Sequence, residues 1–427
     1  MLSLRRVILM SLVVVVMVAT MAAATVTAQP SASASATVTV KFAASVQTQA
    51  PWKAMIASFE RAYPDIRVEA RFLPGDYGAV LQTQLHANNI PDVFLTYPGN
   101  GYTASVIPLA KAGYLMDLAG QPWVNRLQPA AKPLVTRNKY KNVYAWPMDV
   151  QVGALWINQP AFKQLGLKAP KDFSDLLTLC KTIAKTGKTP VAAFGIPPNT
   201  AASIGTVMAA RTGATSAHFE YLRKLGKVKF ATSKPWQRAL TSITDMKKAG
   251  CFSPGAPGMT LFAAAGQLAS GQALMFAGPS QILSVVNPLI KDRSQVSFAG
   301  VAMPGDEAGK SFVQITPFDS VSIWRNTKVK DAAQTFVKFL AAAPQVTFFA
   351  RLTGNVNSLN ATKGKLPDFM KAIEPYFKGG KLQLSPGVVW PNPAVYGAFG
   401  TSFVGLLTGQ KTIAQVLSDT DAVYDRK

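Results

Sequence analysis

Polar and aromatic side chains are concentrated at and near the ends of the strands that this sequence predicts. Amides, hydroxyls and carboxylates hydrogen-bond pairs of hydroxyl groups, and aromatic rings pack on C–H faces, so the mixture suits binding of a polyhydroxylated solute. Each residue alone more often belongs to a core or a surface, and only the shared position at strand ends makes it a candidate. The candidate ligand-binding residues are Ser45, Gln47, Asp76, Tyr77, Tyr97, Asn100, Asp149, Gln151, Ser280, Gln281, Asp319, Trp390 and Asn392.

The residues that catalysis or metal binding needs are scarce. His86 and His218 are the only histidines and lie in separate predicted helices, without a Cys or His at ligand spacing. The segment around Ser203 lacks the first glycine of the Gly-x-Ser-x-Gly motif that forms a nucleophile elbow. Spacing alone does not exclude a pair of catalytic carboxylates like that of a glycosidase, but no candidate pair stands out among the 21 acidic residues. We therefore predict no catalytic residues, no metal site and no cofactor.

The glycine-rich segment Gly305–Ser311 has some features of a phosphate-binding loop. That loop needs four residues between its glycines, whereas three separate Gly305 from Gly309. A strand-like stretch follows the segment, where a phosphate site would need the N-terminus of a helix. We therefore predict a hairpin turn between two strands.

Residues 41–95 carry the patterns of a strand, a helix, a strand, a helix and a strand. Apolar side chains at intervals of three and four residues predict the helices, and alternation of apolar and polar residues predicts the middle strand. Such βαβ units build parallel sheets whose strand ends open onto a ligand crevice. The predicted elements are Lys41–Ser45, a helix from Pro51 to Tyr63, Ile66–Phe72, Tyr77–Ala87 and Pro91–Leu95.

Two longer apolar stretches predict the strands that carry further candidates. Tyr144–Asn158 contains Asp149 and Gln151 and is long enough to run out of one lobe and into another. Phe312–Trp324 contains Asp319. Helices are predicted at Leu261–Gly271, Asp331–Ala342, Tyr396–Leu407 and Ile413–Tyr424.

The first 28 residues have the order of a secretory signal peptide. Arg5 and Arg6 precede an apolar run, Val7–Ala19, and small residues follow up to Ala28. We predict cleavage at Ala24 or Ala28, and therefore a periplasmic or secreted protein. The alternative is a membrane anchor, for which an apolar run of about 18 residues is marginal.

Length and charge limit the classes of protein further. About 400 residues after cleavage exceed one compact core and fit two domains. The formal net charge is +23, but Lys and Arg are scattered and form no recognised reader motif, so we predict no nucleic-acid partner. The charge favours solubility and weak adsorption to anionic envelope polymers, and it leaves an acidic ligand open.

Cys180 and Cys251 are the only cysteines. In an oxidising compartment such a pair can form one disulfide. Buried free thiols are also common, so the sequence leaves both states open.

Seven loose motifs, in order and at matching spacing, make almost the whole mature chain resemble the family 1 extracellular solute-binding proteins. These are the sugar-binding receptors of ABC importers. The segments that carry the resemblance are Phe59–Val68, Pro91–Phe94, Leu109–Leu118, Pro147–Pro170, Gly271–Pro279, Ala332–Leu340 and Leu407–Gln410.

The resemblance implies an α/β, two-lobed periplasmic-binding-protein fold of the class II type. Each lobe would be a sheet flanked by helices, with the ligand cleft between the lobes. It also implies a monomeric receptor that delivers a sugar to the permease of an ABC importer, without catalysis. The implied organisation is a signal peptide at 1–28, a disordered spacer at 29–37, an N-terminal lobe at 38–148 plus 291–343, and a C-terminal lobe at 149–290 plus 344–427.

Individual residues depart from the family pattern. Gln151 falls where maltose-type receptors place a ligand-binding acid, and Tyr97 falls near their first-lobe aromatic residue. Ser280 stands after Gly-Pro, where the family often has a stacking Trp. These differences argue against a maltodextrin. Receptors for a glycerol phosphate, a polyamine or iron are the nearest alternatives, and a secreted enzyme or an envelope-adhering protein is the more distant one.

Overall fold

A computed structural model describes residues 37–359 and 366–426. The predicted signal peptide, and all of the predicted spacer except its last residue, lie outside the described residues. Within the described part of the chain, no helix is both long enough and apolar enough to cross a bilayer.

The strands and helices are numbered in chain order. The strands are β1 Val38–Ser45, β2 Ile66–Leu73, β3 Val93–Thr96, β4 Thr136–Arg137, β5 Asn142–Val143, β6 Trp146–Pro147, β7 Asp149–Asn158, β8 Thr189–Ala192, β9 Ala273–Pro279, β10 Phe298–Val301, β11 Val313–Pro317, β12 Ser320–Ile323, β13 Val356–Asn357 and β14 Leu382–Leu384. The helices are α1 Gln49–Ala62, α2 Tyr77–His86, α3 Val106–Lys111, α4 Lys132–Val135, α5 Gln159–Gln164, α6 Phe173–Ala184, α7 Pro198–Arg211, α8 Ala217–Lys224, α9 Lys234–Lys248, α10 Leu261–Ala269, α11 Ile282–Val286, α12 Lys330–Leu340, α13 Ala343–Thr353, α14 Glu374–Lys378, α15 Pro386–Val389, α16 Pro393–Thr408 and α17 Ile413–Tyr424. Short 3₁₀ turns occupy Val46–Thr48, Val124–Arg126, Ala256–Gly258, Asn287–Leu289 and Asp368–Ile373.

The predicted βαβαβ unit is confirmed. β1 pairs in parallel with β2 over its full length and with β3 on its other side. Trp52, Met55 and Phe59 of α1 are fully buried against this sheet and its neighbours. Burying such side chains contributes about 2 to 3 kcal/mol each. The apolar spacing of α1 therefore determines which face of the helix meets the sheet.

Among the described residues, the strands form two large sheets. The first has the order β2-β1-β3-β12-β6; the second has the order β14-β11-β7-β9-β8, with β10 and β13 also paired to β7. Each sheet has its own buried apolar core. We call the elements packed on these cores the first lobe and the second lobe. The helices predicted near 261, 331, 396 and 413 form as α10, α12, α16 and α17.

Two segments cross between the sheets side by side. The stretch predicted as one strand, Tyr144–Asn158, divides at Met148 into β6 of the first sheet and β7 of the second. The predicted strand Phe312–Trp324 likewise divides at Phe318 and Asp319 into β11 and β12. Met148 N donates to Asp319 O (2.7 Å), which ties the two crossings together. The prediction that the first long strand runs between lobes is therefore confirmed.

The residue boundaries predicted for the lobes stay a prediction. At two places, the sheet or core that an element joins differs from the lobe to which the predicted boundaries assign it. β10 and β11, inside the predicted range 291–343, pair with β7 of the second sheet. α13, which begins at the end of that range, packs Val346 and Phe349 into the first core.

The hairpin prediction for Gly305–Ser311 is wrong. β10 pairs with residues 155–158 of β7, and β11 pairs with residues 150–153 of the same strand. The segment therefore joins two strands that lie one after the other along β7. Sequence patterns show where a turn falls but not which strand its neighbours pair with.

Cys180 and Cys251 form a disulfide, with their Cα atoms 4.9 Å apart. Both side chains are fully buried in the second core. The bond links α6 to the segment after α9, so it stabilises the second lobe.

Candidate functional site

A cavity of about 130 Å³ lies between the two sheets and is lined by both lobes. The first lobe contributes the residues that follow β1, β2 and β3. The second lobe contributes residues of β7, β11, α7 and α16. The polar and aromatic residues that line it are Ser45, Gln47, Asp76, Tyr77, Tyr97, Tyr102, Thr103, Phe194, Gln151, Asn199, Thr200, Ser203, Phe276, Gln281, Gln314, Thr316, Phe318, Ser385 and Tyr396.

Local turn chemistry positions the first-lobe wall. Ser45 Oγ accepts from Gln47 N (3.2 Å), and Asp76 Oδ1 caps α2 by accepting from Ala79 N (3.2 Å). Tyr77 Oη donates to Leu95 O (2.6 Å) and so anchors its ring between β1 and β3. Because the carboxyl ends of parallel strands meet at one edge of a sheet, these side chains converge on the cavity.

Aromatic rings from both lobes line one side of the cavity. The centroids of Tyr97 and Phe318 are 4.4 Å apart, and those of Tyr102 and Tyr396 are 5.0 Å apart. Tyr102 belongs to the first lobe, Tyr396 to the second, and Phe318 to a crossing segment. Such rings offer faces on which the C–H surface of a sugar can stack.

Neutral amides and hydroxyls line the second-lobe wall. Gln151 Nε2 donates to Gln281 Oε1, and Gln314 Nε2 lies 3.4 Å from both Thr206 Oγ1 and Thr316 Oγ1. Gln314 Oε1 is buried and without a hydrogen-bond partner among the described residues. The wall therefore retains acceptor capacity that a hydroxylated solute could use.

The cavity carries little charge although the chain is strongly basic. Asp76 is the only carboxylate among the described residues that line it, and no Lys, Arg or His lines it. Burial raises the pKa of Tyr97 well above its ordinary value. The tyrosines therefore present neutral hydroxyls at physiological pH.

Two buried carboxyls, Asp149 and Asp319, lie behind the wall at the paired crossings. Asp149 accepts from Asn355 Nδ2 (2.7 Å), from Thr353 Oγ1 (2.9 Å) and from Asp319 N (3.3 Å). Burial raises the pKa of Asp149 to about 6, and these hydrogen bonds oppose the rise. Burial raises the pKa of Asp319 well above its ordinary value, and the charge of Asp149 raises it further.

Contacts between the lobes close around the cavity. Asn199 Nδ2 donates to Asp76 Oδ2 (2.6 Å), and Ser284 Oγ donates to Gln47 O (3.1 Å). Tyr102 Oη and Ser385 Oγ are 3.0 Å apart.

The backbone of residues 99–101 also meets that of residues 387–388. Asn100 N donates to Val388 O (3.1 Å), and Gly101 N donates to Gly387 O (3.0 Å). A Cβ at Gly99, where φ is +92°, would lie 2.0 Å from Val388 O. Glycine at this position allows the close approach.

The structure brings part of the candidate set together. The predicted residues that line the cavity are Ser45, Gln47, Asp76, Tyr77, Tyr97, Gln151 and Gln281.

The other predicted residues do not line the cavity. Asp149, Asp319 and Ser280 are buried behind its wall, where Ser280 Oγ donates to Asn355 Oδ1 (2.5 Å). Trp390 packs in the second core against Phe230, 5.5 Å between centroids. The remaining two residues make hydrogen bonds with the backbone. Asn392 Oδ1 caps α16 by accepting from Ala394 N, and Asn100 N donates to Val388 O in the contact between the lobes.

Sequence reasoning missed several residues of the second-lobe wall. Gln314 and Thr316 are polar residues that alternate with apolar ones in the first half of a predicted strand, and that signal could have identified them. Asn199 and Tyr396 lie in helices whose patterns give no sign of a cavity. Their position depends on how α7 and α16 pack on the second sheet.

No group of three or more His, Cys, Asp or Glu side chains that could hold a metal ion occurs in residues 37–359 and 366–426.

Comparison with known proteins gives consistent matches. The sequence profile of the family described as "Bacterial extracellular solute-binding protein" matches residues 43–347. The multiple sugar-binding protein of Streptococcus mutans is 27% identical over 343 residues, covering 79% of this chain and 78% of that protein.

Solved structures share the fold. The solute-binding protein RafE in complex with raffinose has a TM-score of 0.72 at 21% identity, covering 91% of this chain and 99% of RafE. An ABC transporter solute-binding protein of Thermotoga lettingae, bound to α-D-tagatose, has a TM-score of 0.74 at 18% identity, covering 91% of this chain and 98% of that protein. The predicted two-lobed α/β fold is confirmed.

Proposed function

Because the chain belongs to the bacterial extracellular solute-binding proteins, we propose that it captures a neutral sugar between its lobes and delivers it to the permease of an ABC importer. The composition of the cavity carries this proposal. Tyr97, Tyr102 and Tyr396 supply ring faces, while Gln151 and Gln314 supply neutral hydrogen-bonding groups. This combination matches the alternating C–H faces and hydroxyl edges of a sugar.

The nearest alternatives fit the cavity less well. A phosphate group is bound most strongly by a cationic side chain, and no cationic side chain lines the described cavity. A polyamine would need several carboxylates, whereas Asp76 alone is available and already accepts from Asn199. Iron would need several anionic ligands, whereas the described residues contain no group of three or more His, Cys, Asp or Glu that could hold a metal ion, and burial raises the pKa of the cavity tyrosines so that they stay protonated.

The relatives support a sugar rather than another solute. Their names refer to multiple sugars, raffinose and tagatose. The family consists of binding proteins, not enzymes, in agreement with the prediction of no catalysis. We also propose that this chain acts as a monomer, after export and cleavage of the signal peptide.

Solute capture would stabilise the closed arrangement. A solute held by Tyr102 of one lobe and Tyr396 of the other contacts both lobes only when they are close together. Binding then shifts the population toward the closed form, the surface that we expect the permease to recognise.

A thermal-shift screen tests the proposal. Raffinose, stachyose, melibiose and D-tagatose form the sugar arm, and glycerol 3-phosphate, spermidine and ferric citrate form the alternative arm. A bound sugar at 100 times its Kd stabilises the protein by about 2.7 kcal/mol, so we expect a higher Tm in the sugar arm alone. A shift only in the alternative arm, or in neither arm, would contradict the proposal.

A matched pair of variants assigns the shift to the cavity. Tyr102→Ala removes a ring from the cavity, whereas Tyr140→Ala removes a ring that is 60% exposed elsewhere on the first lobe. We expect only the first variant to lose the sugar-dependent shift.

A further inference from the structure

A buried carboxyl is connected to the cavity through two glutamine amides. Asp319 is fully buried at the second crossing and does not line the cavity. Its Oδ2 accepts from Gln281 Nε2 (3.3 Å), and Gln281 Oε1 accepts from Gln151 Nε2. Both glutamines line the cavity. A residue outside the cavity therefore contacts groups that face the solute.

This chain of hydrogen bonds has a direction. A glutamine amide offers a carbonyl at one corner and an NH₂ group at the other, and the two can exchange places by rotation. Because the Asp319 oxygen accepts, Gln281 turns its NH₂ group toward Asp319 and its carbonyl toward Gln151. Gln151 then turns its NH₂ group toward Gln281. Its own carbonyl makes no hydrogen bond among the described residues and remains an acceptor for a solute hydroxyl.

The hydrogen bonds around the two acids indicate which one carries the charge. Asp149 accepts from three donors, whereas Asp319 accepts only from Gln281, and its Oδ1 has no partner among the described residues. Carboxylates need donors, so the negative charge belongs on Asp149 and the proton on Asp319, where it sits on the unpartnered Oδ1 and leaves Oδ2 to accept from Gln281 Nε2.

The surroundings supply no compensating cation. The titratable groups that face Asp319 are Asp149 on β7, Tyr77 on α2 and Tyr97 after β3. Within residues 37–359 and 366–426, no Lys, Arg or His pairs with Asp149 or Asp319. Two adjacent charges would repel without relief, which favours the singly charged pair.

We propose that neutral Asp319 is a positioning residue for the solute site, which holds Gln281 and Gln151 in the orientation that presents the Gln151 carbonyl to a sugar hydroxyl. The inference rests on the proposed function. It adds a residue outside the cavity that determines which hydroxyl donors the cavity selects.

Substitutions at Asp319 separate positioning from charge. Asp319→Asn keeps the shape and an acceptor without a charge, so we expect its Kd for raffinose to stay within about threefold of that of the unmodified protein. Asp319→Leu removes the acceptor, and we expect its Kd to rise about tenfold or more. An Asp319→Asn variant as impaired as Asp319→Leu would overturn the proposal.

A double-mutant cycle with Gln151→Leu tests whether Asp319 acts through that glutamine. If it does, the Kd of the double variant should be about equal to that of the single variant that binds more weakly, because both substitutions remove the same interaction. Additive losses of affinity would overturn the proposal. The control is Asp421→Asn, a buried aspartate that accepts from Phe230 N and Ala231 N and does not line the cavity. It should lower Tm without changing Kd.

Amide NMR of the ligand-free protein provides a measurement that does not depend on the sugar. In ¹⁵N spectra, the side-chain NH₂ resonances of Gln281 and Gln151 should move in Asp319→Leu and return close to their original positions in Asp319→Asn. Unchanged resonances in Asp319→Leu would refute the positioning role even if no sugar binds. If Asp319→Leu does not fold, Gln281→Leu breaks the same chain, and the Gln151 resonance then provides the test. A protein that shows these shifts but binds no sugar contradicts the proposed function instead.

Discussion

The two walls of the cavity are built in different ways. The first-lobe wall consists of Ser45 at the end of β1 and of residues that follow β1, β2 and β3 within a few positions, so each is placed by the strand beside it. The second-lobe wall takes Gln151 from β7, Gln314 from β11, Asn199 from α7 and Tyr396 from α16. These segments meet only through the packing of the second core. The first wall therefore depends on local order, and the second depends on tertiary contacts.

The disulfide gives the largest expected effect that distinguishes the two lobes. Cys180→Ser with Cys251→Ser opens a loop of 71 residues within the second lobe, and the loop-entropy relation gives a loss of about 4 kcal/mol in the free energy of unfolding. Urea unfolding, monitored by hydrogen exchange in each lobe, should show the loss of unfolding free energy mainly in the second lobe. Reducing agent should reproduce it in the unmodified protein and leave the double variant unchanged. Equal losses in both lobes would contradict the distinction.

Removing the ring that joins the walls gives the next largest effect. Tyr102→Ala removes the edge-to-face contact with Tyr396 and the hydrogen bond with Ser385, and we expect a loss of about 3 kcal/mol in sugar binding, or roughly a hundredfold in Kd. Isothermal titration measures the change. Tyr102→Phe retains the ring and should recover most of the affinity. If Tyr102→Phe binds as weakly as Tyr102→Ala, the hydroxyl and not the ring carries the interaction.

The hydrogen bond between the walls has a smaller expected effect. Asn199→Ala removes the donor to Asp76 Oδ2, and loss of a hydrogen bond to a charged group costs about 1.5 kcal/mol. We expect the free protein to open more readily, which small-angle scattering would detect, and Kd to rise about tenfold. Asp76→Ala should be worse, because it also removes the cap of α2. An unchanged Kd in Asn199→Ala would mean that this contact does not help to close the cavity.

A half-buried acid that does not line the cavity has no expected effect on Kd and tests the second lobe alone. Burial raises the pKa of Glu220 on α8 to about 8, mainly by desolvation. A carboxyl whose folded-state pKa is raised stabilises the fold at low pH, and this stability is lost as pH rises from about 4.5 through about 8. Glu220→Gln should therefore be more stable than the unmodified protein above pH 8, which Tm measured against pH would show. The same pH dependence in both proteins would refute the assignment, and Kd should not change in either case.

Local pattern was sufficient for much of the fold. The apolar spacing of α1 and the alternation in β2 predicted both elements to within a few residues, because each reports directly on the face that is buried. The stretches Tyr144–Asn158 and Phe312–Trp324 were each predicted as one strand. The structure divides each between two sheets, since the partner strands that divide them are distant in sequence.

Candidate residues on the two walls illustrate the same limit. Ser45, Asp76 and Tyr97 line the cavity, as their positions after strands led us to expect. Trp390 looked like a stacking residue, but its ring fills the second core against Phe230 and Phe399. Residue type alone does not distinguish an aromatic side chain in a core from one in a cavity, because both environments favour the same apolar surface.

The sequence by itself determined the secondary structure of the first lobe, the family and most of the first-lobe wall. These depend on periodicity and on the geometry of strand ends, which act over a few residues. Only the tertiary structure decided which residues complete the second-lobe wall, that Cys180 and Cys251 are bonded, and that Asp319 lies behind the cavity and not in it. Those features depend on contacts between segments far apart in the chain, and no local pattern records which of the possible contacts has the lowest free energy.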